Sequence, residues 1–179
     1  QREAKHSQQK KNIPLKDSQI MDKIIFLDID GVLNNHMAYS IYNPESTNIN
    51  MINNLNFTIE QTGAKIVIIS NWAQVMTQDR LSKFLVERGL LDNVIVDIIK
   101  SKEIEDKGII MQIIDKSSFI YEYVNLHQIV NYVIIDDDLK SDFLDQSKII
   151  VPSKDHTNPI FSLGITEIES QKIISLLNG

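Results

Sequence analysis

Short apolar runs alternate with stretches of helical periodicity along this chain. The runs at 23–27 and 65–70 are continuous and rich in isoleucine, which is typical of strands buried on both faces of a sheet. Between them, 47–62 carries apolar residues near helical spacing and ends at Gly63. The same patterns predict strands at 93–99, 131–135 and 148–151, and helices at 79–88, at 119–130, at 166–177 and from near Lys107. The alternation predicts an α/β fold in which helices cover both faces of a mostly parallel sheet.

Length and composition indicate one domain behind a polar arm. The 179 residues include 42% hydrophobic and 23% charged side chains, and the formal net charge is −6. These values are typical of a soluble globular protein and give no broad positive surface for nucleic acid. Residues 1–20 are polar and basic without an apolar signal-peptide core, and no apolar run is long enough to span a bilayer. We therefore expect an arm over 1–20, one domain over 21–179, and a soluble, cytoplasmic protein of undetermined oligomeric state.

Residue types that carry chemistry follow three of the predicted strands. They are Asp28 and Asp30, then Ser70 and Asn71, then Asp136 and Asp137. Parallel strands present their carboxyl ends at one edge of a sheet, so these groups should meet there. Several carboxylates favour a hard cation such as Mg²⁺, and a hydroxyl with an amide can donate to phosphate oxygens. With Lys107 or Lys102 supplying a positive charge, the set fits phosphoryl transfer, although the first acid pair alone would also fit a capped turn.

The absence of cysteine narrows the possible chemistry. With no cysteine in the chain, disulfides, thiolate metal sites and cysteine nucleophiles are excluded. The four histidines are scattered and show no metal-ligand spacing.

In order and position, these motifs resemble those of phosphatases of the haloacid dehalogenase (HAD) superfamily. The first motif stands at 26–33 as Phe-Leu-Asp-Ile-Asp-Gly-Val-Leu, and the second at 68–71 as Ile-Ile-Ser-Asn. The fourth stands at 133–138 as Val-Ile-Ile-Asp-Asp-Asp. The resemblance implies a three-layer, Rossmann-like sandwich. Since there is little room for an insertion between the motifs, it also implies the type without a large cap domain.

The resemblance implies a catalytic role for each matching residue. Asp28 would be the nucleophile that forms an aspartyl-phosphate intermediate, and Asp30 would act as general acid and then as general base. Ser70 would hydrogen-bond the transferred phosphoryl group. The basic residue of the third motif often opens a helix between the second and fourth motifs, and Lys107 fits that position better than Lys102.

The resemblance also implies a metal site. Mg²⁺ would be held by Asp28, by the backbone carbonyl of Asp30 and by Asp137. Asp136 would orient a water molecule bound to the metal.

An open site without a cap suits a phosphate displayed on a macromolecule. Given the acidic composition, we expect a phosphoprotein, with phosphotyrosine favoured over nucleic acid. Specificity would then be decided in the loop after the first motif, around Asn34 and His36 with neighbouring Asn35 and Tyr39, and at Asn71.

Two alternatives remain open from the sequence. Ser70-Asn71-Trp72, the acids at 136–138 and the Gly-Ile-Thr at 164–166 resemble a HAD branch associated with RNA end repair, which would make the protein a nucleic-acid end phosphatase. That branch usually has a basic residue where this chain has Ala73. Trp72 fits either core packing or a stacking platform. The second alternative is a phosphoacceptor or binding module without turnover, although the order of the motifs differs from that of receiver domains.

Overall fold

The computed structural model describes residues 23–34, 47–100, 102–106, 109–113, 115–157 and 162–179, with the backbone alone over 102–106 and 109–113. The strands are β1 (Ile24–Leu27), β2 (Lys65–Ile68), β3 (Ile95–Ile98), β4 (Lys102–Asp106), β5 (Ile109–Ile113), β6 (Tyr132–Ile135) and β7 (Ile149–Ile150). The helices are α1 (Ile49–Thr62), α2 (Gln78–Val86), α3 (Lys116–His127) and α4 (Glu167–Asn178). The predicted arm over 1–20 lies outside the described residues and stays a prediction.

Five of the described strands form a parallel sheet in the order β3-β2-β1-β6-β7. The register aligns Leu27, the last residue of β1, with Ile68 of β2 and Ile135 of β6. The three central strands therefore end level with one another. The segments that follow them leave the sheet at one edge, as expected for a parallel α/β sheet.

Side chains of β1 alternate between two apolar layers. Ile25 and Leu27 pack in the cluster that contains α1, α2 and α4 residues, whereas Ile24 and Phe26 pack in the cluster that contains Ile120 of α3. All four β1 side chains are fully buried. A strand that is buried on both faces reads as a continuous apolar run, so the sequence pattern and the three-layer architecture have the same cause. The predicted α/β fold is confirmed.

The prediction of a helix that begins near Lys107 is wrong. The structure has an antiparallel hairpin there, in which Lys102 of β4 pairs with Ile113 of β5 and Asp106 pairs with Ile109. Four of the hairpin's strand residues are isoleucine, whose branching at Cβ favours an extended backbone. Lys107 itself lies outside the described residues.

Helix α3 begins and ends three residues before the predicted helix at 119–130. It begins at Lys116 because the Asp115 carboxylate caps it, accepting the backbone N–H of Ser118. It ends at His127, since Gln128 has a left-handed backbone with φ 52°. At the end of the chain, the capping box of Thr166 and Glu169 forms as predicted and opens α4.

In the portion of the chain that the structure describes, every helix is too short or too polar to cross a membrane.

Candidate active site

Three buried carboxylates meet where the central strands end. Asp28 follows β1, and Asp136 and Asp137 follow β6; they are 4%, 0% and 9% exposed. One oxygen from each lies within 4.8 Å of the others. The level ends of β1 and β6 bring these acids together, because Asp28 donates its backbone N–H to the carbonyl of Ile135, the residue before Asp136.

Lys116 joins two of these acids. Its Nζ donates hydrogen bonds to Oδ2 of Asp28 and, at 2.8 Å, to Oδ2 of Asp136. The lysine is the first residue of α3, so the Asp115 cap that starts the helix also places the ammonium group. A second lysine, Lys154, donates to Oδ2 of Asp137 at 2.9 Å from the more exposed side of the cluster.

Burial and neighbouring charges shift the ionisation of the central pair. Burial raises the pKa of Asp28 to about 6, and Asp136 contributes in the same direction, while Lys116 and a hydrogen bond from Ser70 oppose the rise. For Lys116, burial alone lowers the pKa, but the two carboxylates outweigh it and the pKa is raised. The lysine therefore stays protonated, and its charge favours the ionised form of Asp28.

Asp30 lies outside the buried cluster and is held by two neutral donors. The Asn34 side-chain amide donates to its Oδ1 at 2.9 Å, and the indole Nε1 of Trp72 donates to its Oδ2 at 3.0 Å. The carboxylate is half-buried. Directly after Asp30 the chain turns at Gly31, whose φ of 73° favours glycine and whose N–H donates to Asn34 Oδ1.

Asn34 lies beside Asp30, and its role as a substrate contact stays a prediction. It is 2% exposed, and its side-chain amide links Asp30 to the backbone of Gly31, so it supports the turn that follows Asp30. His36, Asn35 and Tyr39, the other residues expected in that loop, lie outside the described residues. Asn71 is exposed and lines a cavity of about 290 Å³ beside Lys116, together with Ser117 and Lys140.

A model of the HAD domain in Swiss Army Knife RNA repair proteins matches residues 24–157. The chain belongs to this HAD family. The match confirms the resemblance to the superfamily and to its RNA-repair branch, and it supports a phosphatase-type activity in general terms. Comparisons with curated proteins and with solved structures gave no match.

The acids of this HAD domain fit a divalent cation. Three carboxylates supply hard oxygen ligands, which Mg²⁺ prefers, and they are buried within reach of one ion. Lys116 and Lys154 contribute two positive charges to the cluster, so ionised carboxylates leave it negative. Burying this net negative charge costs free energy, and a bound cation would offset that cost.

Lys116, which contacts Asp28 and Asp136, was not predicted from the sequence. Lys116 occupies the place expected of Lys107, between the second and fourth motifs and at the start of a helix. The side chain of Lys102, the alternative, is outside the described part of the structure. The signal that could have found Lys116 is the Asp115-Lys116-Ser117-Ser118 segment, in which a capping residue precedes a lysine and two serines.

Proposed function

We propose that this HAD domain is a Mg²⁺-dependent phosphomonoesterase that works through an aspartyl-phosphate on Asp28. The observation that carries the proposal is the buried Asp28 carboxylate, paired with Lys116 and within 4.8 Å of Asp136 and Asp137. Carboxylate, ammonium and cation ligands together suit the transfer of a charged phosphoryl group. Family membership supports the same class of reaction.

In the first step, an Asp28 oxygen attacks phosphorus and forms a new P–O bond, while the ester P–O bond breaks. The leaving oxygen keeps the bonding electrons and takes a proton from Asp30. In the second step, Asp30 takes a proton from water, the water oxygen attacks phosphorus, and Asp28 is released as a carboxylate. The products are inorganic phosphate and the free alcohol.

The other residues hold this chemistry in place. Lys116 neutralises part of the charge as the phosphate approaches Asp28. Ser70, which is fully buried just after β2, would hydrogen-bond the transferred phosphoryl group. Asp28 and Asp137, with the backbone carbonyl of Asp30, would hold Mg²⁺, and Asp136 would support them. When bound, the ion would neutralise charge on the phosphoryl oxygens.

For the substrate we favour a terminal phosphate of RNA. The description of the matched family, which names RNA repair proteins, is the finding that supports this choice over the phosphotyrosine protein expected from the sequence. A phosphoprotein is the second candidate, because the net charge of −6 does not favour a polyanion. Trp72 gives no support for base stacking, since it is only 5% exposed.

The test is phosphate release by the full chain from three substrates: RNA oligonucleotides with a 5′-phosphate, the same with a 3′-phosphate, and a phosphotyrosine peptide. We expect Mg²⁺-dependent release from an oligonucleotide, abolished by chelator and by Asp28→Asn. That variant keeps the shape of the side chain and loses the nucleophile.

Each other outcome has a defined meaning. Phosphate release from the peptide alone would indicate that the substrate is a phosphoprotein and not RNA. Normal turnover by Asp28→Asn, or in excess chelator, would contradict the mechanism. Stable phosphorylation of Asp28 without release of phosphate would indicate a phosphoacceptor module instead.

A further inference from the structure

Trp72 lies at a position that the catalytic motifs do not explain. It follows Ser70 in a 3₁₀ turn, Asn71–Gln74, and the Ser70 hydroxyl accepts its backbone N–H at 3.4 Å. The segment after β2 therefore lies beside both acids of the first motif, since Ser70 lowers the pKa of Asp28 and Trp72 hydrogen-bonds Asp30.

Packing fixes the indole ring. Trp72 is 5% exposed, and its ring meets Phe84 of α2 edge to face, with centroids 5.3 Å apart. The neighbouring Ala73 is fully buried. A ring held in this way presents its N–H in one direction, and that direction is towards Oδ2 of Asp30.

The kind of donor matters for the chemistry of Asp30. An indole N–H can donate but cannot accept, so it orients a carboxylate without competing for the proton that the carboxylate carries. Asn34 donates to the other oxygen, and the two donors define the plane of the carboxylate. Each oxygen keeps a further lone pair, on which a proton can travel to a leaving group or from a water molecule.

We propose that Trp72 is a positioning residue, which holds the Asp30 carboxylate in the orientation needed for proton transfer. This inference rests on the proposed function, because it assigns a role within the same reaction. Loss of the N–H leaves the carboxylate free to rotate about its Cβ–Cγ bond. A misplaced acid slows proton transfer without weakening the binding of phosphate.

The kinetic test compares Trp72→Phe with Phe84→Leu. The first variant keeps an aromatic ring and removes the N–H, whereas the second disturbs the same ring packing and keeps the N–H. Two substrates are used, phenyl phosphate and p-nitrophenyl phosphate, because p-nitrophenolate leaves readily without a general acid. The ratio of the two kcat/KM values reports how much the reaction depends on Asp30.

We expect Trp72→Phe to lower kcat/KM for phenyl phosphate on the order of 10- to 100-fold, with a much smaller loss for p-nitrophenyl phosphate and little change in KM. Phe84→Leu should lower both values by one common factor. Equal losses on both substrates for Trp72→Phe would show a packing role and overturn the inference. Wild-type protein inactive on both small substrates and on the oligonucleotides and peptide would overturn the proposed function instead.

A spectroscopic test keeps the inference falsifiable if Trp72→Phe does not fold. The chain has one tryptophan, so its labelled indole N–H gives one NMR signal. Asp30→Ala should shift that signal and speed its hydrogen exchange by about 10-fold or more. Asp97→Ala, which removes a carboxylate bonded to Tyr123, should leave it in place. An indole signal unchanged by Asp30→Ala would overturn the inference whatever the activity.

Discussion

Lys116→Met removes the cation that two buried carboxylates share. The side chains of Asp28 and Asp136 are 6% and 0% exposed, and that of Lys116 is 17% exposed, so water can replace little of the lost interaction. Removing one partner of a buried ion pair costs about 3–5 kcal/mol, because the remaining charge is left buried. Against a total stability of about 5–15 kcal/mol, this loss is large enough to measure.

Lys154→Met is the matched control. It removes the same functional group from the same acidic cluster, but the Lys154 side chain is 39% exposed and water can take its place at Asp137. We expect this variant to lose about 1 kcal/mol or less. The comparison separates the effect of burial from the effect of removing a lysine.

The assay is urea unfolding of both variants and of the wild type in the presence of chelator, with the slope of the transition compared among them. Lys116 holds down the pKa of Asp28, so its removal lets that carboxyl take up a proton more readily. The loss should therefore be smaller at pH 5 than at pH 8. Equal losses for the two variants, or a loss below about 1 kcal/mol for Lys116→Met, would refute the reasoning.

Two further predictions concern stability. Because burial raises the pKa of Asp28 to about 6, folded metal-free protein binds this proton more tightly than unfolded protein, and the resulting stabilisation is lost as pH rises from about 4 to about 6. Urea midpoints of Asp28→Asn should thus rise relative to wild type across that range, and a constant difference would contradict the shift. Gly164→Ala should lower the free energy of unfolding by about 1–3 kcal/mol more than Gly63→Ala. Both glycines have φ near +70°, so the backbone strain is similar. At Gly164 the added Cβ would lie 2.6 Å from the Val32 carbonyl oxygen, whereas at Gly63 it would have no atom within 4 Å. Thermal or urea unfolding of both variants measures this difference. Equal losses of stability would contradict the prediction, because they would show that the structure around Gly164 accommodates the added Cβ.

The strands that carry the first, second and fourth motifs could be predicted from the sequence. Each is a short apolar run that is buried on both faces, and each ends in polar residues at the edge of the sheet. That pattern is local, since burial on both faces requires a continuous apolar run whatever the partner strands are. The positions of Asp28, Asp30, Ser70 and the acids after β6 follow from it.

The lysine that contacts Asp28 could not be predicted in the same way. The segment around 102–113 contains both charged residues and isoleucines, and its local pattern did not distinguish a helix from a hairpin. The start of α3 depends on the Asp115 cap, a contact of one side chain with one backbone N–H. Helix boundaries of this kind are weakly encoded in apolar periodicity.

The sequence by itself determined the fold class and the set of acids at one sheet edge, because both follow from local apolar patterns and from the geometry of parallel strands. The tertiary structure alone decided which lysine joins Asp28 to Asp136, and that Asn34 and Trp72 hold Asp30. These contacts join residues 4 to 88 positions apart in the chain, and the longer ones depend on how strands and helices pack. No local pattern specifies the direction in which a side chain points across such a distance.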